Sequence, residues 1–168
     1  MNIEGKGKII ALGTAATSYA DLYLKNYPVE CFEDVTQDNI LKLKNIFRHL
    51  TDDNLLKILL VFLGGKTTLN FIKAISKFDF PRLDEFIFPI YTKPFSWEGG
   101  KRKRIAEISE DLIREKFPSH IGISYGIFNP RKENEGVFSY YNEFIYSLIK
   151  QIHANNKDFQ KDFIDILN

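Results

Sequence analysis

Between Lys57 and Leu63 the chain reads Lys-Ile-Leu-Leu-Val-Phe-Leu and stops at Gly64-Gly65. A run this evenly apolar does not alternate, so it does not suit a strand with one face in water; it suits a parallel strand covered on both faces. Parallel neighbours are joined by crossovers of a dozen residues or more, usually helical. One short stretch therefore asks for a sheet with helices on each side, and the rest of the chain must supply them.

It does so in alternation. Lys8 to Leu12 is a second apolar run, closed by Gly13, and Thr14 to Ser18 leads into a helix that ends near Tyr27-Pro28. Val29 to Val35 reads as a strand in which Glu30, Glu33 and Asp34 mark an edge or a strand end. Gln37 to Leu50 carries Ile40, Leu43, Ile46, Phe47 and Leu50 at helical spacing, with Thr51-Asp52-Asp53 as the stop. After Gly64-Gly65, Thr67 or Thr68 is expected to cap a helix whose core face is Leu69, Ile72, Ile75 and Phe78. Asp84 to Tyr91 is the next expected strand, and the helix after Gly100 is expected to present Ile105, Ile108, Leu112 and Ile113 on one side. Ile121 to Phe128 is a further strand, closed by Asn129-Pro130. From Val137 a long helix turns Phe138, Tyr141, Ile145, Leu148, Ile149 and Ile152 inward.

The pattern predicts one α/β domain over residues 1–168: a three-layer, open, mainly parallel Rossmann-like sheet with helices on both faces and a long central helix after the last strand. Ligands of such sheets sit beyond the carboxyl ends of the strands. Gly13, Gly64, Thr92-Lys93 and Asn129 fall at those ends and are expected to share one rim.

Composition removes several function classes. The formal net charge of +1 gives no electrostatic case for nucleic acid. No uninterrupted apolar run approaches the roughly 20 residues of a membrane span, and the start of the chain is polar, so a cytoplasmic protein is expected. Cys31 is the single cysteine and His49, His120 and His153 stand far apart, so neither a disulfide framework nor a metal site is expected.

Three groups of residues can carry chemistry. Gly64, Gly65, Lys66, Thr67 and Thr68 follow a buried strand and open a helix, where backbone N–H groups and the helix dipole favour phosphate. A P-loop needs glycine six residues before the lysine and Leu60 stands there, so the spacing leaves open whether the segment binds phosphate or only turns the chain. Gly13 opens the first turn without the Gly-x-Gly-x-x-Gly pattern that admits a pyrophosphate. Phe138 and Asn142, four apart with Glu143 adjoining, can stack on a purine and bond its edge, or be a core aromatic beside solvated neighbours. Asp162 and Asp165 are a carboxylate pair able to position a water, or plain decoration of a last helical piece.

The block Thr92-Lys93-Pro94-Phe95-Ser96-Trp97-Glu98-Gly99, followed by Lys101 and Arg104, closely resembles the strand-to-helix junction of the FtsZ branch of the tubulin superfamily. Phe138 to Glu143 is similar to the start of that family's central helix, where a Phe-x-x-x-Asn-Asp segment contacts guanine, with Glu143 in place of the aspartate. Asp162-Phe163-Ile164-Asp165-Ile166 is similar to the loop that completes hydrolysis in the next subunit, with Gln160 where the family has asparagine.

The resemblance implies GTP or GDP as the ligand and Gly13, Gly64 to Thr68, Thr92, Lys93, Asn129, Phe138, Asn142 and Glu143 as the nucleotide site, with Asp162 and Asp165 as catalytic residues. The departures qualify it. The family's glycine-rich phosphate loop is reduced to Gly64-Gly65-Lys66-Thr67-Thr68, and the segment before Lys57 is too short for the family's third strand. Cβ atoms where glycines should stand block backbone approach to phosphates, so hydrolysis is not expected. The resemblance and its departures together imply a reduced FtsZ-like protein, a pseudo-GTPase in cell division, acting by association with itself or with a full-length FtsZ-like polymer. The alternative is a GTPase with a phosphate loop rebuilt around Lys66 and Thr67.

Overall fold

The computed structural model describes residues 8–52, 55–95, 98–124 and 142–152. Five strands form one sheet: β1 (Ile9–Leu12), β2 (Val29–Phe32), β3 (Lys57–Phe62), β4 (Ile87–Thr92) and β5 (Ile121–Ile123). Their order is β2-β1-β3-β4-β5 and every pairing is parallel. The aliphatic run is β3, flanked by β1 and β4 and buried along all but Phe62, as its composition requires. The helices are α1 (Thr14–Tyr23), α2 (Gln37–Arg48), α3 (Lys66–Ser76), the single turn α4 (Leu83–Phe86), α5 (Gly100–Lys116) and α6, over residues 142–152. Among the described residues no helix is long and apolar enough to cross a membrane.

Strand alternation sorts the core into two layers. Ile10, Leu12, Phe32, Leu59, Val61, Ile87 and Tyr91 pack under α2, α3 and α5 together with Leu43, Phe47, Phe71, Ile72 and Ile113. Ile9, Ala11, Ile58, Leu60, Phe88, Ile90, Ile121 and Ile123 face α1 and α6, which contribute Ala16, Tyr19, Ala20, Ile145, Leu148, Ile149 and Ile152. Full burial of one such aliphatic side chain contributes about 1.5–3 kcal/mol. The three-layer α/β architecture is thus established.

Several boundaries move. β2 ends at Phe32 rather than Val35, because Glu33, Asp34 and Val35 are exposed past its pairing with β1. β4 begins at Ile87 and runs to Thr92; Leu83–Phe86, assigned in part to the strand by sequence, forms one helical turn entered through Arg82 at φ 64°. Pro89 sits inside β4, where a missing N–H would normally break a ladder. β5 joins β4 only from Ile90 onward, so Pro89 lies outside that register. The described part of β5 ends at Ile123, and residues 125–128 lie outside the described residues.

On α5 the inward stripe is Ala106, Ser109 and Ile113, with Ile105 and Leu112 half-buried. Ile108, expected inside, is 43 % exposed. It stands two residues from Ala106, about 200° around the helix, whereas Ser109 and Ile113 fall back onto the same face. A serine took the position that apolar periodicity assigned to an isoleucine.

Candidate functional site at the carboxyl rim of the sheet

The order β2-β1-β3 places a topological switch between β1 and β3, because the chain leaves β1 for one side of the sheet and returns to the other. α1 after β1 and α3 after β3 lie on opposite faces, and their starts meet at this switch. Gly13 and Gly64-Gly65 flank it, so the topology brings the two predicted loops together.

The helix starts at this rim share a composition. α1, α3 and α5 begin after Gly13, Gly65 and Gly99; none has a side-chain cap bond, and none has an acidic residue in its first turn. α2, which starts beside the edge strand, has Thr36 accepting from the Asn39 N–H at 3.1 Å and Asp38 in its first turn. Thr67 and Thr68, expected as caps, lie inside α3 instead, since Gly65 is extended and its carbonyl takes the first helical bond from Leu69 at 3.1 Å. The Lys66, Thr67 and Thr68 N–H groups therefore head α3 with no intrahelical acceptor and with the positive end of its dipole behind them. Lys66 is exposed, Thr67 half-buried and Thr68 buried.

Gly13 serves packing rather than ligand contact. Its N–H donates to the Phe32 carbonyl at 2.8 Å, and its backbone sits at φ 90°, ψ 169°, a conformation side chains avoid. A Cβ there would lie 2.6 Å from Thr68 Oγ1, so the starts of α1 and α3 abut. Gly64, at φ 122°, is covered from the other side: a Cβ would meet the Arg102 Nη2 and Pro94 Cγ, each at 3.1 Å.

Arg102 is the residue that sequence reasoning missed. It stands in the first turn of α5, half-exposed, with its guanidinium over Gly64 and its Nε 3.4 Å from Glu98 Oε1. The other Glu98 oxygen accepts from the Phe95 N–H, which ties down the loop between β4 and α5. The i, i+4 spacing of Glu98 and Arg102 was a usable signal, hidden by a basic run that reads as a solvated helix start.

The remaining predicted residues divide. Thr92 is 3 % exposed, and its carbonyl accepts from the Leu63 N–H at 2.9 Å, so it stitches β4 to the end of β3. The Lys93 N–H donates to the Ile123 carbonyl at 2.9 Å, and its ammonium lies 3.0 Å from Glu110 Oε2 on α5. That Glu110 oxygen also accepts from the Tyr91 hydroxyl at 2.7 Å and lies 3.4 Å from Arg114 Nη2. Burial pushes the Glu110 carboxyl up, but the bonds from Tyr91 and Lys93 and the two cations outweigh it and hold its pKa below the ordinary carboxylate value. Burial, then the bond to Glu110, pushes the Tyr91 phenol up to about 12.

Asn142 and Glu143 do not reach the glycine loops. With Leu22, Tyr23, Tyr146 and Ser147 they line an open groove of about 450 Å³ between α1 and α6. The Asn142 carboxamide donates to the Tyr23 hydroxyl at 3.2 Å, and the main-chain carbonyl of Asn142 accepts from the Tyr19 hydroxyl at 2.7 Å. Tyr19 in turn packs on Phe62 at the end of β3, with ring centroids 5.6 Å apart. Asn129, Phe138, Asp162 and Asp165 lie outside the described residues, and among the described ones no three metal-ligating side chains converge. Compared with known proteins, the chain matches no family model and no curated protein, so the resemblance carried by Thr92 to Arg104 stands on its residues alone.

Proposed function

We propose that the chain is a reduced FtsZ-like domain that holds a phosphate-bearing ligand of the guanine-nucleotide class at the carboxyl rim without hydrolysing it. The carrying observation is the set of three glycine-started helix N-termini at one rim, free of first-turn carboxylates, with the Arg102 guanidinium laid over Gly64. Open N–H groups, aligned dipoles and a guanidinium are what an oxyanion needs.

Two features argue for binding rather than turnover. Gly13 and Thr68 close the gap through which a polyphosphate would lie along both loops. The first turns of α1 and α3 offer threonines, alanines and a lysine, none of which is poised to activate water.

Calorimetry with GDP and GTP, paired with a phosphate-release assay, tests the reading. Saturable binding that weakens about tenfold in Arg102→Gln, with phosphate release at background, is the expected result. No heat at millimolar nucleotide removes the ligand; release that scales with protein removes the claim of inactivity.

Association with itself or with an FtsZ-like polymer is the second reading. It draws on Leu22, 69 % exposed, and Tyr23, 42 % exposed, beside the groove between α1 and α6. Co-sedimentation with an FtsZ polymer, weakened by Leu22→Asp, is its test, and a monomer that never pellets counts against it.

A further inference from the structure

The groove between α1 and α6 holds one charge and no counter-charge. Its described lining is Leu22, Tyr23, Asn142, Glu143, Tyr146 and Ser147, around a space of about 450 Å³ that opens to solvent, within the size range of small-molecule sites. Glu143 is the one charged residue of that lining, and among the described residues its carboxylate makes no ion pair and accepts no hydrogen bond. The polar groups beside it are tied into the same wall. The Tyr19 hydroxyl donates to the main-chain carbonyl of Asn142 at 2.7 Å, and the Asn142 amide nitrogen donates to the Tyr23 hydroxyl at 3.2 Å. That arrangement leaves the Asn142 side-chain oxygen open as an acceptor.

The rest of the lining is aromatic. Tyr23, 42 % exposed, rests on Tyr19 with ring centroids 4.8 Å apart and planes inclined at 33°, so Tyr19 backs one face and leaves the other open. Tyr146, half-buried, meets Tyr27 at 6.3 Å and 75°. Burial, then the nearby phenols of Tyr23 and Tyr146, raise the pKa of the Tyr19 phenol, a sign that the three rings converge. Tyr23 is also the last residue of α1, whose final turn carries no basic residue, so the negative end of the helix dipole lies beside the groove. Lys25, just past that end, is not part of the lining. A carboxylate, an amide oxygen, tyrosine faces and a helix C-terminus all favour positive charge.

We propose that this groove binds an organic ammonium ion, with its alkyl groups against Tyr23 and Tyr146 and its charge facing Glu143. Aromatic rings attract such ions through their negative faces, and the carboxylate supplies the counter-charge that the lining lacks for itself. The inference rests on neither the rim reading nor association.

The test is amide chemical-shift titration of the labelled full chain with choline chloride and, separately, n-butylammonium chloride, each against sodium chloride at the same ionic strength. Neohexyl alcohol, the uncharged carbon isostere of choline, is the third titrant. Saturable shifts are expected at Leu22, Tyr23, Asn142, Glu143, Tyr146 and Ser147. The apparent Kd should weaken about tenfold in Glu143→Gln, weaken likewise in Tyr23→Leu, and stay unchanged in Lys66→Gln/Arg102→Gln. Response to choline alone assigns a quaternary ammonium, to n-butylammonium alone a primary one, and to both an organic ammonium in general. Glu143 is exposed and makes no side-chain bond among the described residues, so Glu143→Gln keeps its fold, which circular dichroism checks. Three results overturn the proposal: no shift beyond sodium chloride, equal binding of neohexyl alcohol, or binding that survives Glu143→Gln.

Discussion

Alanine at Gly13, Gly65 and Gly99 separates the forces that hold the rim. Gly99 sits at φ 90°, ψ 156° with nothing within 4 Å of a new Cβ, so Gly99→Ala meets only the backbone penalty, about 1–3 kcal/mol. Gly13 has nearly the same backbone, but its Cβ would also press on Thr68 Oγ1 at 2.6 Å. Thr68 is 6 % exposed and cannot swing into solvent, so overpacking adds to the backbone term and Gly13→Ala costs roughly 2–6 kcal/mol. Gly65, at φ −98° with open space around it, tolerates alanine and gains up to about 1 kcal/mol from a stiffer unfolded chain. Urea unfolding at constant m reads all three. Thr68→Ala in the Gly13→Ala background should recover the packing part, a coupling of about 1–3 kcal/mol, and leave the backbone part. If Gly13→Ala costs no more than Gly99→Ala and shows no coupling to Thr68, the starts of α1 and α3 do not abut and the closed-gap argument fails.

Gly122→Ala should cost about 1–3 kcal/mol in the same assay, because its Cβ would lie 2.6 Å from a Tyr91 ring that is buried and bonded to Glu110. Ser109 Oγ is fully buried and finds no hydrogen-bond partner among the described residues, so Ser109→Ala should be neutral or stabilising by about 1 kcal/mol. The Tyr91–Glu110 pair fixes two pH effects of determined sign. Glu110, with its pKa depressed on folding, contributes stability above the unfolded carboxylate value near 4.3 that is lost as pH falls through the folded value. Tyr91, with its pKa raised, contributes stability below its ordinary value near 10 that is lost as pH rises toward about 12. Tyr91→Phe should flatten the alkaline loss in a pH series of urea midpoints; an unchanged alkaline limb contradicts the bond.

The sheet was readable because parallel strands buried on both faces leave uninterrupted apolar runs, as in Ile58 to Leu63, and because glycine marks the turns at Gly13 and Gly64. The α4 turn was not readable: Leu83 to Phe86 mixes apolar and acidic residues as a strand end would, and the positive φ of Arg82 leaves no trace in composition. The inward stripe of α5 was misassigned because Ser109 replaced an apolar residue and shifted the apparent face to Ile108. For the site, position along the chain located the glycine loops correctly. It could not show that Gly13 spends its N–H on Phe32, that Lys93 turns to Glu110, or that Arg102 crosses to Gly64 from another element. Those are tertiary facts with no local signature. Asn142 shows the same limit, since four-residue spacing gave it a helix face but not the tyrosines of α1 that occupy its polar groups.

The proposed function stands on phosphate groups seated at the open N–H groups that begin α3. Amide chemical-shift mapping of the labelled chain with GDP tests this most directly. The largest shifts should fall at Gly65, Lys66, Thr67 and Thr68, with smaller ones at Lys101 and Arg102, and little change at Lys42 or His49. Shifts confined to the Tyr23–Asn142 groove, or none at millimolar GDP, contradict it.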